Sequence, residues 1–395
     1  MGSLFEGIKV LDFTNNLAGP VSTLMLSIFG AEVIKVEKPG RGDDGRGFGV
    51  KVEGESLFFM GHNHGKKSIT LDLKKPEAIE IIERIAEKAD IVVESFRPGV
   101  MARLGIGYEC LKKLNPEIIM CSVSAFGQTG PYRNLAGYDI IAQGVSGMMD
   151  VTGDPDGPPM KVGPSIADYV TGFNAFGAIS AALYYRAVTG KGQYIDTCLV
   201  DCLIAANDYT EYAFNGVNAK RNGNHHDLFA PYGVFSGTDG DMVIGILNEK
   251  LWDDFCELIG QPEMIDNPKY DDPSKRRQEL PEVIRVIETW LKKFQNIDEP
   301  QRILMEKGIP CTKVNSIKDL MSDPHILHRK MVIDVDVPYL SSGKIKSKGN
   351  QIKFSETPGK NTGIPPRVGE HQEEVLKGIG YTQQDIEEFR HKGVF

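Results

Sequence analysis

Cysteine is scarce in this 395-residue chain: six residues, at 110, 121, 198, 202, 256 and 311, and no Cys-x-x-Cys. That spacing excludes a disulfide scaffold and leaves reduced thiols as the simplest reading. Long apolar runs are missing too. Nothing approaches the roughly 18 residues that cross a membrane, and the first residues show no basic stretch followed by an apolar one. A cytoplasmic protein is therefore expected, with no membrane partner. Positive charge is in deficit, 45 Lys and Arg against 54 Asp and Glu, for a net charge of -9. That balance argues against nucleic acid as a partner, although a local basic cluster can still hold a small anion.

Several motifs are also wanting. The turn after the first strand-like run reads Thr14-Asn15-Asn16-Leu17-Ala18-Gly19-Pro20 rather than Gly-x-Gly-x-x-Gly, so a dinucleotide is not expected. There is no Gly-x-Ser-x-Gly elbow for a serine hydrolase. His62-x-His64 and His225-His226 have no Cys or acidic residue at zinc spacing, so no metal is expected.

What is present is alternation. Ile8–Phe13, Glu32–Glu37, Ser68–Leu73, Ile91–Glu94 and Ile118–Val123 read as buried strands, with helices at Val21–Phe29 and Pro76–Lys88 between them. Such βαβ succession predicts an α/β fold with a doubly wound, largely parallel sheet, whose ligands bind beyond the carboxyl ends of the strands. Helices dominate from Tyr138 to about Asn215, interrupted near Gly190. Gly233–Ser236 and Met242–Ile246 form a hairpin signal that opens a smaller α+β region. The boundaries drawn are 1–224 for the amino-terminal part of a large domain, 225–325 for a small α+β domain, and 326–395 for a carboxyl-terminal part returning to the large one.

The chain turns on Gly163-Pro164-Ser165-Ile166-Ala167-Asp168-Tyr169, which leads into a helix of small residues around Asn174–Leu183. Asp168 falls at or near that helix's N-terminus, where unpaired N–H groups favour a carboxylate. It is either a structural N-cap or a nucleophile, ionised at neutral pH if it keeps an ordinary pKa of about 3.9. Cations gather at the strand ends: Lys38 and Arg41, then Lys66, Lys67 and Lys74, then Arg97 and Arg103. Together they point to a phosphate-bearing ligand.

Val10-Leu11-Asp12-Phe13-Thr14 through Gly19-Pro20, Gly30–Glu37, Val93–Gly99, Phe126–Pro131, Gly137-Tyr138-Asp139 and Ile166-Ala167-Asp168 resemble, in order, the class III coenzyme A transferases of CaiB/BaiF type. This is the family of formyl-CoA:oxalate and carnitine CoA-transferases. The resemblance implies an interlocked homodimer of ring-shaped chains, each with a Rossmann-like large domain. Its substrates would be acyl-CoA thioesters and carboxylic acids, with no permanently bound cofactor. Asp168 would be the nucleophile. CoA would lie along Asn15, Asn16 and Ala18, with Lys38 near its adenine and phosphates. Leu71, Leu73, Lys74, Ser95, Phe96, Arg97, Val100 and Arg103 would line it, with Tyr138 beside it.

Two departures stand out. A Gln occupies the place of Leu17 in formyl-CoA transferase, so Asn15 or Asn16 is left to assist the reacting carboxylate. A mobile run of glycines there becomes the bulkier Gly245-Ile246-Leu247-Asn248-Glu249 here. The implied reaction passes through an aspartyl anhydride and an aspartyl-CoA thioester. The alternatives are an α-methylacyl-CoA racemase and an inert acyl-CoA-binding relative. The racemases carry His where this chain has Tyr138, and a phenol of pKa about 10 is a poor base for α-proton exchange.

Overall fold

Parallel strands covered on both faces favour near-continuous apolar runs, and the first strands of this chain read mostly that way. The computed structural model describes residues 2–360 and 363–395. Strand β1 (Lys9–Phe13) leads into helix α1 (Ala18–Ile28) and strand β2 (Glu32–Glu37). A small hairpin of β3 (Lys51–Val52) and β4 (Glu55–Ser56) precedes α2 (Leu57–Asn63) and β5 (Lys67–Thr70). Next come α3 (Pro76–Ala86), β6 (Ile91–Glu94), α4 (Val100–Arg103), α5 (Tyr108–Leu114) and β7 (Ile119–Ser124). Helix α6 (Asp139–Val145) and the long α7 (Ile166–Thr189) are followed by β8 (Tyr194–Cys198) and α8 (Leu199–Ala205).

Among the described residues, these strands make one six-stranded sheet in the order β5-β2-β1-β6-β7-β8. Every pairing in it is parallel, with Val10 opposite Val33 on one side and Ile91 on the other. The fold is mixed α/β with a parallel central sheet. Successive residues of a strand point to opposite faces. Val10, Val33 and Ile119 pack under α1, α7 and α8, while Leu11, Ile34 and Met120 pack under α3 and α5. Strand β8 is a correction to the helix-dominated reading of this stretch, which marked only an interruption near Gly190. It is an edge strand in which Tyr194, Asp196 and Thr197 stay at least partly exposed, so it lacks the apolar run that marks its neighbours.

The chain divides into two compact units. The larger takes residues up to Met148 together with Val162–Thr210 and Pro324–Phe395, and the smaller takes Met149–Lys161 with Glu211–Asp323. The smaller unit holds the antiparallel sheet of β9 (Tyr232–Ser236), β10 (Asp241–Gly245) and β11 (Cys311–Lys313), ordered β11-β10-β9. Its own core gathers around Trp252, Phe255 and Ile287. Gly245 ends β10 and Asn248 caps the helix Glu249–Ile259 by accepting from the Leu251 N–H at 3.0 Å. In the larger unit, β12 (Val332–Asp336) and β13 (Lys344–Lys348) form a hairpin around the Ser341-Ser342-Gly343 turn. The last helix, Gln383–His391, begins with a Thr382–Asp385 capping box.

Beneath the carboxyl ends of β1 and β2 lies a group of buried charges. Asp12 accepts from the N–H and hydroxyl of Thr14 at 2.8 and 2.6 Å, and pairs with Lys66 at 3.1 Å. The Lys66 ammonium also donates to Thr23, Asn63 and the Pro20 carbonyl. Lys35 pairs with Asp43 at 2.7 Å and donates to the Thr14 carbonyl at 2.7 Å. Burial alone would raise the Asp12 pKa, but Lys66 and Lys35 outweigh it and hold the carboxyl well below the usual range. Lys66 is thus no ligand-binding cation, contrary to the grouping read from the sequence. It is fully buried, its ammonium taken up by Asp12, Asn63 and, in α1, Pro20 and Thr23. Lys67 is spent on Glu32 and Glu374.

Removing one partner of such a pair strands the other charge. Lys66→Met should cost about 3–5 kcal/mol, and adding Asp12→Asn to it should cost far less than the sum of the two single changes. Urea midpoints of the three variants and the parent check this.

Candidate active site

The loop after β1 is fixed from below. Asn16 sits at φ +67°, a left-handed conformation that Asn tolerates better than most residues. Its N–H donates to Asp43 Oδ1 at 3.1 Å, and the Gly45 N–H donates to the same oxygen at 2.7 Å. The Asn15 N–H donates to Ser95 Oγ at 2.9 Å and so ties this loop to the one after β6. Glu37 closes the group by accepting from Arg46, Ser68 and the Asp43 N–H, each at 2.6–2.7 Å.

Above this base two adjoining hollows open at the strand ends, of about 450 and 530 Å³, and Asn15, Lys38 and Phe96 border both. The first is mainly apolar, with Leu71, Leu73 and Val100 in its wall and Lys74 at its rim. The second is polar and takes in Asn16, Ser95, Arg97, Arg133 and Tyr138. Among the described residues, Lys38, Lys74, Arg97 and Arg133 make no ion pair, so their charge is available to a ligand. Two residues expected here fall outside both hollows. Ala18 is buried as the first residue of α1. Arg103 ends α4, exposed, with its guanidinium near Gly99. Leu17 is buried as well.

Asp168 is the third residue of α7. The N-cap is Ser165, whose side chain makes no capping bond, so the local N-cap reading of Asp168 does not hold. The helix start is satisfied from elsewhere. The Ala167 N–H donates to Asp139 Oδ1 at 2.8 Å, and Gln143 Nε2 holds the other oxygen of that carboxylate at 2.7 Å. Gln143 Oε1 in turn accepts from the Val162 N–H at 2.8 Å. Asp139 was overlooked as a positioning residue; its place in Gly137-Tyr138-Asp139 was the available signal. Tyr138 itself is 71 % exposed in the wall of the polar hollow.

Gly172 lies one turn beyond Asp168 on the same face of α7. A Cβ there would come within 2.7 Å of the Ala18 carbonyl and 2.8 Å of Val21, so only glycine lets α7 press against the first turn of α1. The Asp168 face is thereby turned toward the start of α1, directly after Asn15 and Asn16. Among the described residues the Asp168 carboxyl accepts no hydrogen bond, and it lines neither hollow. The neighbouring Thr171 hydroxyl is buried without a partner. Burial first, and the Asp139 carboxylate second, push the Asp168 pKa up to about 7. The expectation of an ordinary, fully ionised aspartate at neutral pH is corrected accordingly.

Among the described residues no three His, Cys, Asp or Glu side chains gather as a metal site requires, and no helix is long and apolar enough to cross a membrane.

The profile of CoA-transferase family III matches residues 5–372. The chain belongs to this family. It is 38 % identical over 398 residues to the succinyl-CoA:glutarate CoA-transferase of Mus musculus, covering 98 % of this chain and 89 % of that one. It is 37 % identical to the succinate–glutarate CoA-transferase of Agrobacterium fabrum, over 94 % of each chain. A CAIB/BAIF family protein from Brucella suis superposes with a TM-score of 0.85 at 35 % identity, over 96 % of this chain and 100 % of that structure. The protein is an enzyme, a class III CoA-transferase, and CoA thioesters are the substrates of such transferases.

For this CoA-transferase the raised Asp168 pKa carries a stability signature. The folded carboxyl keeps its proton up to about pH 7, whereas an unfolded one loses it near pH 3.8. Between those values the folded state binds more protons, so stability falls as pH rises, and the cost is complete above pH 7. Asp168→Asn removes that cost. The variant should gain about 2–4 kcal/mol on the parent between pH 4 and pH 8, read from urea midpoints at both values.

Proposed function

We propose that the enzyme moves CoA from a dicarboxylic acyl-CoA to a free dicarboxylic acid through covalent intermediates on Asp168. The observation that carries this reading is the Asp168 carboxyl itself: unpartnered, in the first turn of α7, on the helix face that packs against α1 at Gly172. Ionised Asp168 attacks the donor thioester carbonyl, forming a mixed anhydride and expelling CoA thiolate. The thiolate then attacks the Asp168 carbonyl, giving an aspartyl-CoA thioester and releasing the donor acid. The acceptor carboxylate attacks that thioester, expelling thiolate and forming a second anhydride. Thiolate attack on the acceptor's acyl carbon yields the new acyl-CoA and restores Asp168. Carboxylate and thiolate are each nucleophile and leaving group in turn, so the scheme calls for no separate proton carrier.

In this proposal CoA lies across the two hollows. Leu71, Leu73, Phe96 and Val100 face its apolar portions, and Lys38, Lys74 and Arg97 face its phosphates, with Arg103 further out. Asn15, Asn16 and Ser95 offer polar contacts near the thioester. The same proposal includes a large Rossmann-like domain from 1–224 and 326–395, a small domain at 225–325, an interlocked homodimer and a cytoplasmic location. The choice of dicarboxylic substrates draws on the names of the mouse and Agrobacterium relatives.

Asp168→Ala and Asp168→Asn should abolish transfer while still binding CoA esters. Hydroxylamine should trap the parent enzyme only after exposure to acyl-CoA, with the adduct on Asp168 by mass spectrometry. Full activity in Asp168→Ala ends this scheme. If a 2-methylacyl-CoA gained α-deuterium in heavy water at the rate of turnover, the racemase would replace it. Because the carboxylate form reacts, kcat/KM for the acyl-CoA should rise with pH through about 7 and then level off.

Arg97→Ala should raise KM for the acyl-CoA about tenfold, as loss of a charge-assisted phosphate bond does, and change KM for the free acid much less. Equal KM values in variant and parent would remove CoA from the polar hollow.

A further inference from the structure

Strand β13 carries three lysines at alternate positions, Lys344, Lys346 and Lys348. The first two lie against Asp334, at 3.6 and 2.9 Å. Lys348 pairs with no carboxylate among the described residues. Its ammonium instead donates to the Tyr169 hydroxyl and stands 3.1 Å from His62 Nε2, 4.5 Å from the centre of the Tyr169 ring.

The direction of each bond follows from the far side of the imidazole. His62 Nδ1 is 2.7 Å from the Phe58 carbonyl, which can only accept, so Nδ1 carries the proton and Nε2 is a bare acceptor. The Tyr169 hydroxyl, 2.9 Å from Nε2, donates to it, and its oxygen accepts from Lys348. His62 is buried, and burial together with the Lys348 charge pushes its pKa down to about 3. The imidazole therefore stays neutral. The Tyr169 oxygen holds the ammonium by a lone pair, and neutral His62, accepting the Tyr169 proton, fixes that oxygen in place; neither cancels the charge. Lys348 is exposed and keeps N–H donors that Tyr169 does not use. A cation fixed in place, open to solvent and lacking a counter-ion is a seat for an anion.

Position says which anion. Tyr169 follows Asp168 in the first turn of α7, and successive helical side chains diverge by about 100°. The Lys348 ammonium, held by Tyr169, therefore belongs to the same helix turn as the reacting carboxyl but to a different side of it, and it is there that the far end of a short acyl group would be met. The Phe58 ring, 5.0 Å from that of His62, and the Phe173 ring, 6.1 Å from that of Tyr169, give this place apolar flanks suited to a few methylenes.

We propose that Lys348, positioned by Tyr169 and His62, binds the distal carboxylate of the acyl group and selects short dicarboxylic acids over monocarboxylic acids of equal length. This rests on the reaction proposed at Asp168. The experiment compares glutarate with pentanoate as acceptors, with succinyl-CoA as the common donor. The parent enzyme should prefer glutarate in kcat/KM by about ten- to a hundredfold, the worth of one charge-assisted bond. Lys348→Met should erase most of that preference through KM for glutarate, with a far smaller loss for pentanoate. Lys348→Arg should restore it, and Tyr169→Phe should weaken it. Equal losses on both acids, no loss, or a parent enzyme indifferent between them would overturn the assignment and leave the transferase reaction standing. Failure of the parent to transfer CoA to any acid would take both readings down.

Discussion

Four buried charges, Asp12, Lys35, Asp43 and Lys66, support everything that happens at the strand ends. None is reached by water, so each must be satisfied by its neighbours, and the neighbours are the backbone of the loops above. Thr14 offers both its N–H and its carbonyl, and Asn16 offers its N–H. An apolar core of equal volume would be no less stable. It would not dictate where each loop amide points. Here charge acts as a template for backbone, and Asn15 and Asn16 take their places from it.

The second constraint is steric. The approach of α7 to α1 at Gly172 sets the first turns of α7 against the first turn of α1, and Asp168 comes with them. The cost falls on its ionised form, which burial and Asp139 both disfavour. Under the proposed reaction that cost has a use. Acylation converts a charged carboxylate into a neutral anhydride or thioester, so surroundings that resist charge favour the covalent states over the resting one.

How much of this could be read in advance depends on how local each signal is. The strands β1, β2, β6 and β7 are legible because strands covered on both faces are mostly apolar, broken here only by a few buried polar residues such as Asp12 and Lys35, and the parallel order then gathers their following loops at one edge. Strand β8 shows half-polar alternation at the sheet's rim and disappears into the helical texture around it. The strand-end cations were legible as a group but not individually: Lys38 and Lys74 border a hollow, whereas Lys66 is buried under α1. Asp139 holding the start of α7 crosses 28 residues, and Lys348 meeting His62 crosses 286. No periodicity or spacing rule reaches across such separations. The helix start at Asp168 was visible in the sequence; the source of its stabilising bond was not.

The edge of the central sheet holds one more consequence. Strand β5 is finished by residues far along the chain: the Thr70 N–H donates to Gln372 Oε1 at 2.8 Å, 302 positions away, and the Ser68 N–H to His371 Nδ1 at 3.1 Å. The Asp72 N–H is taken by the Val394 carbonyl at 2.8 Å. While the chain is being synthesised, the first strands leave the ribosome long before these partners do. For that interval the sheet has an open, pairing-competent edge, the feature through which strands of different molecules join. Contacts this distant in sequence also close slowly. Production of this protein is therefore exposed to aggregation from the exit of β5 until the last residues are made, and a chain cut short before Gln372 keeps its hazardous edge for good.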